Sequence, residues 1–244
     1  MNTRDYEFSK NTSGEKVVGN EGLKAYTRKV FNYMMISLGI TAVISYLILR
    51  TSLINLFLTV GANGSVGYSG LGLLTVLSPL FITMYMSFSR NITSKGSKIG
   101  LFTIAGLEGA SVSLLVLYAG VHNAFQAFLL AGILFGSMSL YGYTTNRDLL
   151  GMGSFLIMAL WGLVLVSLFS LFFGGVGIWF SYLSVLVFTG LVAYETQQIK
   201  YIYSQVGGYG ENADKIAVFC ALNLYLDFLN LFTSLLRIMG NSRD

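Results

Sequence analysis

The chain has 244 residues, of which 54% are hydrophobic and 11% charged, with a formal net charge of +4. A soluble domain carries roughly 25% charged residues, and a chain of this length could not hide so much apolar surface from water. The composition therefore excludes a soluble domain and implies a polytopic membrane protein. It also argues against nucleic acid as a partner, because the positive charge is scattered over short polar segments. The single cysteine, Cys220, excludes an intramolecular disulfide and reads as a small buried apolar residue.

Residues 1–29 are polar and carry Arg4, Lys10, Lys16, Lys24, Arg28 and Lys29 among Asp5, Glu7, Glu15 and Glu21. No apolar region begins before Val30, which is unlike an ordinary cleaved signal peptide, and the four acids are unlike a mitochondrial transit peptide. The stretch is expected to be a flexible cytoplasmic tail ending in an interfacial turn around Tyr26 to Phe31.

Seven apolar spans follow, near 30–50, 70–89, 99–119, 123–143, 154–174, 178–199 and 216–238. Each has about the 20 residues needed to cross the hydrocarbon core as a helix. The domain division is thus 1–29 and 30–244, and the fold class is all-α, with seven transmembrane helices. Leu53 to Val60 is apolar but too short to cross alone. Gly61 to Gly70 reads as a flexible external loop. Pro79 is the only proline, and it falls inside the second span, where it removes a ladder hydrogen bond.

Basic residues set the expected orientation. With the N-terminus inside, twelve Lys and Arg fall in cytoplasmic segments, and only Arg50, Arg237 and Arg243 fall outside. The bias predicts a cytoplasmic N-terminus and an external C-terminus. Within the spans, Gly132 and Gly136 form a GxxxG pair, and Gly106 and Gly109 lie close together. Such small residues predict close helix packing.

Three acids lie within spans: Glu108, Glu195 and Asp227. An ionisable group in hydrocarbon is costly and is a functional candidate by default. Asp227 sits inside ALNLYLDFLNLF, residues 221–232, and Asn223, Asp227, Asn230 and Ser234 share one helical face as a polar, possible pore-lining seam. Glu195 and Asp227 can reach similar depth, and Arg90, ending the second span on the same side, can reach inward. Two carboxylates brought together cannot both ionise cheaply, so they should share a proton and sense pH. Losing that proton adds repulsion that can drive the helices apart. The blander alternative is that the acids only fix packing. Glu108 is an open case between facing the bundle and a differently cut span.

Carboxylate and amide oxygens suit a hard cation such as calcium, but so few acids make only a weak, transient site at Glu195 and Asp227. Protons are as plausible from these residues alone. The expected ligands are thus calcium as a permeant ion and protons, with the lipid bilayer as the surrounding partner and no bound cofactor. Enzyme readings are weak. Gly67 to Gly70 matches the GxSG of rhomboid-type proteases, but the only histidine, His122, lies in a short external loop. There is no HExxH, no Walker A loop and no lysine in the last span for a Schiff base.

Three motifs, YGYTTNRDLLGMGS (141–154), YETQQIK (194–200) and ALNLYLDFLNLF, recur here in an order that resembles the Bax inhibitor family, the transmembrane Bax-inhibitor-motif proteins. The likeness runs from about Arg28 to the end, and the chain looks like a bacterial-type member. The resemblance implies a last helix at the centre, wrapped by the other six, and a pH-dependent calcium leak. In bacterial members, two aspartates on the sixth and seventh helices form the proton sensor, with an arginine from the second. Asp227 matches the seventh-helix acid, and Glu195 stands where the sixth-helix aspartate would be, one methylene longer. Arg90 best matches the arginine, and Asn223 replaces a small serine. Arg147 and Asp148 read as structural and interfacial. Bacterial membership places the chain in the inner (plasma) membrane, and the cell-death role of the eukaryotic branch does not carry over. Two alternatives stand beside the leak: a non-conducting regulator that binds a membrane-anchored protease, and a proton-coupled transporter.

Overall fold

The structure is a computed structural model that describes residues 13–60, 66–89, 92–173, 175–208 and 210–241. Its elements are α1 (Ser13–Arg50), α2 (Ile54–Phe57), β1 (Leu58–Val60), β2 (Val66–Tyr68), α3 (Gly70–Phe88), α4 (Ser94–Ala119), α5 (Val121–Thr144), a 3₁₀ turn (Leu150–Met152), α6 (Gly153–Phe173), α7 (Ile178–Val206) and α8 (Gly210–Asn241). Seven helices, α1 and α3 to α8, are long and apolar enough to cross a membrane. The sixth and seventh spans of the sequence are therefore α7 and α8.

Helices outrun the apolar spans because backbone hydrogen bonding does not stop where hydrocarbon ends. α7 continues to Val206 and α8 begins at Gly210. The same holds for the expected turn around Tyr26 to Phe31, which is uninterrupted helix within α1. Tyr26 and Val30 there are buried against the bundle. The short apolar piece after α1 forms α2 and a two-stranded antiparallel hairpin, with Leu58 opposite Tyr68. The loop expected over Gly61–Gly70 is thus strand at Val66–Tyr68, while residues 61–65 lie outside the described residues.

Local chemistry marks several ends. Ser69 caps α3 by accepting from Gly72 N at 3.0 Å, and Thr93 caps α4 by accepting from Gly96 N at 3.1 Å. Ser69 is the serine of the GxSG decoy, and its place is a helix cap. Pro79 lies inside α3 without ending it. Gly207 (φ 72°) and Gly208 (φ 73°) turn the chain between α7 and α8 in the left-handed region, where a side chain would be strained.

α8 is the central helix. In its most apolar 18-residue window, 67% is buried inside the protein, against 17% in the window of the α6 span. It packs directly on α7, α4, α5 and α1, while α3 packs on α4 and α6 on α7. Small residues allow two further close approaches. A Cβ at Gly109 would meet Ile44 Cβ and Thr41 O at 2.9 Å, so α1 and α4 lie backbone against side chain. A Cβ at Gly142 would strike the Ala193 carbonyl, so α5 and α7 meet backbone to backbone. The GxxxG pair does not do this: Gly132 and Gly136 have nothing within 4 Å of a Cβ position and are exposed. The buried stripe of α5 runs Ala127, Ala131, Phe135, Ser139, Gly142. Gly132 lies one residue off that stripe, about 100° round the helix.

At one end of the bundle, the basic end, Lys29 of α1 pairs with Asp214 of α8, and Lys98 of α4 lies 3.8 Å from the same carboxylate. The other end holds Arg50 and Arg237, at the C-terminal turns of α1 and α8.

Candidate functional site

Asp227 lies about midway along α8 and is 4% exposed. Glu195 lies about midway along α7, beside the buried Val192, Thr196 and Ile199. The α7–α8 packing brings their side chains together. Glu195 Oε2 and Asp227 Oδ2 are buried, and neither has a donor among the described residues. Two carboxylates offer only acceptors. A hydrogen bond between them therefore needs a proton on one of them. The geometry sets two carboxyl groups side by side between two membrane helices, each with a buried oxygen that no described donor serves.

The other expected site residues divide. Asn230 is half-buried and donates to Leu226 O of its own helix at 2.8 Å. Ser234 is buried. Asn223 is exposed on the helix surface, so the expected buried seam does not extend to it. Glu108 points with Leu101, Ile104, Ala105 and Val112 along the buried side of α4. Its carboxyl group lies within electrostatic reach of Tyr225. Tyr225 is two residues before Asp227, about 200° away around the helix. Arg90 lies outside the described residues.

Tyr225 anchors a second polar node. Its hydroxyl is 2.7 Å from Thr41 Oγ1, which reaches Ala105 O at 2.9 Å and Ser37 O at 3.0 Å. Three helices, α1, α4 and α8, meet there.

Two motif residues have roles that spacing did not reveal. Gln197 Oε1 accepts from Leu149 N at 2.8 Å, and its Nε2 donates to Arg147 O at 2.8 Å. Lys200 Nζ donates to Tyr143 O at 2.7 Å, at the end of α5. YETQQIK thus holds the turn of YGYTTNRDL, and Glu195 rides on a helix fixed to its neighbour one turn away. An amide side chain with no charge carries little signal in sequence, although both residues fall inside the family motifs. Arg147 and Asp148 are exposed turn residues, and Asp148 Oδ1 accepts from Leu150 N at 2.9 Å.

Among the described residues, no three of His, Cys, Asp and Glu gather as a metal-holding group. The acid pair by itself would offer a cation at most two carboxylates.

A seven-helix membrane bundle with paired carboxyl groups on its central hairpin is the class that fold and site define. Residues 23–244 match the family model described as inhibitor of apoptosis-promoting Bax1. The chain belongs to this Bax inhibitor family. An uncharacterized protein of Rickettsia prowazekii is 38% identical over 245 residues, covering 98% of this chain and 99% of that protein. The inner membrane protein YbhL of Escherichia coli K12 is 35% identical over 226 residues, covering 91% and 94%. An uncharacterized protein of Caulobacter vibrioides is 33% identical, covering 91% of each chain.

Proposed function

We propose that this protein is a pH-sensitive calcium leak of the bacterial inner membrane, gated by Glu195 and Asp227. The observation that carries the reading is the close approach of two carboxyl groups, of which the buried Glu195 Oε2 and Asp227 Oδ2 have no donor among the described residues. While the proton is shared, α7 and α8 are clamped. When it leaves, two buried charges face each other, and repulsion in a medium of low dielectric is severe. Separation of the helices lets water reach both groups and opens a polar path along α8 past Asn230 and Ser234. A calcium ion then meets two carboxylates, enough to pass and too few to bind tightly. No chemical turnover is involved, and calcium and protons are the ligands. The excess of basic residues on one side favours a cytoplasmic N-terminus, and the naming of the E. coli relative supports the inner membrane.

The test is calcium flux into liposomes carrying the purified protein, from pH 6 to pH 8. Release of one proton predicts a flux rising with pH, by up to roughly tenfold per unit. Asp227→Asn and Glu195→Gln each supply a permanent N–H donor in place of the proton, so flux should stay low at every pH. A flux that rises as the pH falls would sink the shared-proton clamp. No flux above empty liposomes at any pH would favour a non-conducting regulator, and capture of a membrane protease dependent on residues 1–25 would then test that role.

A further inference from the structure

At the end of the bundle away from the lysines, a cavity of about 190 Å³ opens between the C-terminal turns of α4 and α8 and the first turns of α7. Its apolar wall includes Leu115, Ile178 and Leu236. Its polar lining residues are Arg237, Asn241, Tyr118 and the buried Ser181. Among the described residues, no acid lines it and Arg237 forms no ion pair.

Depth gives the cavity a meaning. Arg237 is ten residues beyond Asp227, about 15 Å along the axis towards the helix end. Tyr118 and Trp179, beside the cavity, are 90% and 80% exposed, and the ring of Trp179 lies 6.0 Å from that of Tyr182. Exposed aromatic rings clustered at a helix end mark headgroup level in a bilayer. An exposed arginine at that level faces lipid phosphates. The cavity is smaller than the roughly 300–1,000 Å³ of sites that enclose a small molecule. It suits a headgroup whose chains remain outside along the apolar wall.

We propose that this cavity binds the phosphate of an anionic phospholipid, with Arg237 as the charge partner and Ser181 and Asn241 as hydrogen-bond donors. A zwitterionic lipid carries its own ammonium beside the phosphate, and no acid among the described residues lines the cavity to receive it. An anionic headgroup such as phosphatidylglycerol avoids that mismatch. Guanidinium suits phosphate because its fork of N–H donors matches two phosphate oxygens.

The experiment is thermal unfolding of the full chain in detergent, with phosphatidylglycerol, phosphatidylcholine or inorganic phosphate added, alongside native mass spectrometry to count retained lipid. Phosphatidylglycerol should raise Tm by about 5 °C and leave one lipid bound. Phosphatidylcholine and phosphate should do neither. Arg237→Gln should lose both effects, Arg237→Lys should recover them incompletely, and Arg50→Gln at the same end should keep both. An equal response in Arg237→Gln, or to phosphatidylcholine, would overturn the site. A response to phosphate alone would overturn the lipid as its source.

Discussion

The two faces of α8 both carry buried polar groups, yet they are built to opposite ends. On one face, Tyr225 joins Thr41 at 2.7 Å, and Thr41 in turn reaches carbonyls of α1 and α4. Both hydroxyls there have partners from the protein. On the other face, Asp227 meets Glu195, and each keeps a buried oxygen that no described donor serves. A satisfied network fixes helices in one arrangement. Under the proposed function, an acid pair that takes its proton from solution has an arrangement that depends on pH. The contrast teaches that two polar clusters buried on one helix can differ in whether the protein itself supplies their partners.

The largest expected effect comes from breaking the acid face. The double variant Glu195→Gln with Asp227→Asn should be no more defective than either single variant, because the two side chains act as one clamp. Flux measured at pH 6 and pH 8 should be equal and low in all three. Additive losses would mean that the acids act separately.

A smaller effect is expected on the opposite face. Tyr225→Phe removes one hydrogen bond and should cost about 0.5–1.5 kcal/mol of stability, read by thermal unfolding in detergent. Its flux should keep the pH profile of the native protein. A flattened profile would show that the two faces are coupled through the helix.

The smallest effect should come from Glu108→Gln. Glu108 lies within electrostatic reach of Tyr225, which sits about 200° round α8 from Asp227, so the pH profile should not move. A shift comparable to that of Asp227→Asn would bring Glu108 into the gate and erase the distinction between the faces.

Much of the fold was legible because bilayer physics is strict. Seven long apolar stretches have few alternatives to seven helices. Their true ends were less legible: α1 starts at Ser13, and Tyr26 is core rather than an interfacial turn. A helix ends where its hydrogen bonds stop, and that is set by caps and neighbours such as Thr93 and Gly207. The GxxxG pair misled for a related reason. Small residues permit close approach, but the rotation of α5 decides which ones meet a neighbour, and it presents Gly142 instead of Gly132 and Gly136.

By itself, the order of residues determined the class, the number of spans and the identity of the acids. Those follow from the cost of placing charge and open backbone in hydrocarbon, a cost that each segment meets alone. Only the tertiary structure decided which acids touch. Glu195 and Asp227 meet, while Glu108 belongs with Tyr225, and Asn223 turns outward. The same is true of Gln197, whose amide binds a turn some 50 residues away in the chain. Such pairings depend on how seven helices rotate and slide against one another, which no single helix specifies.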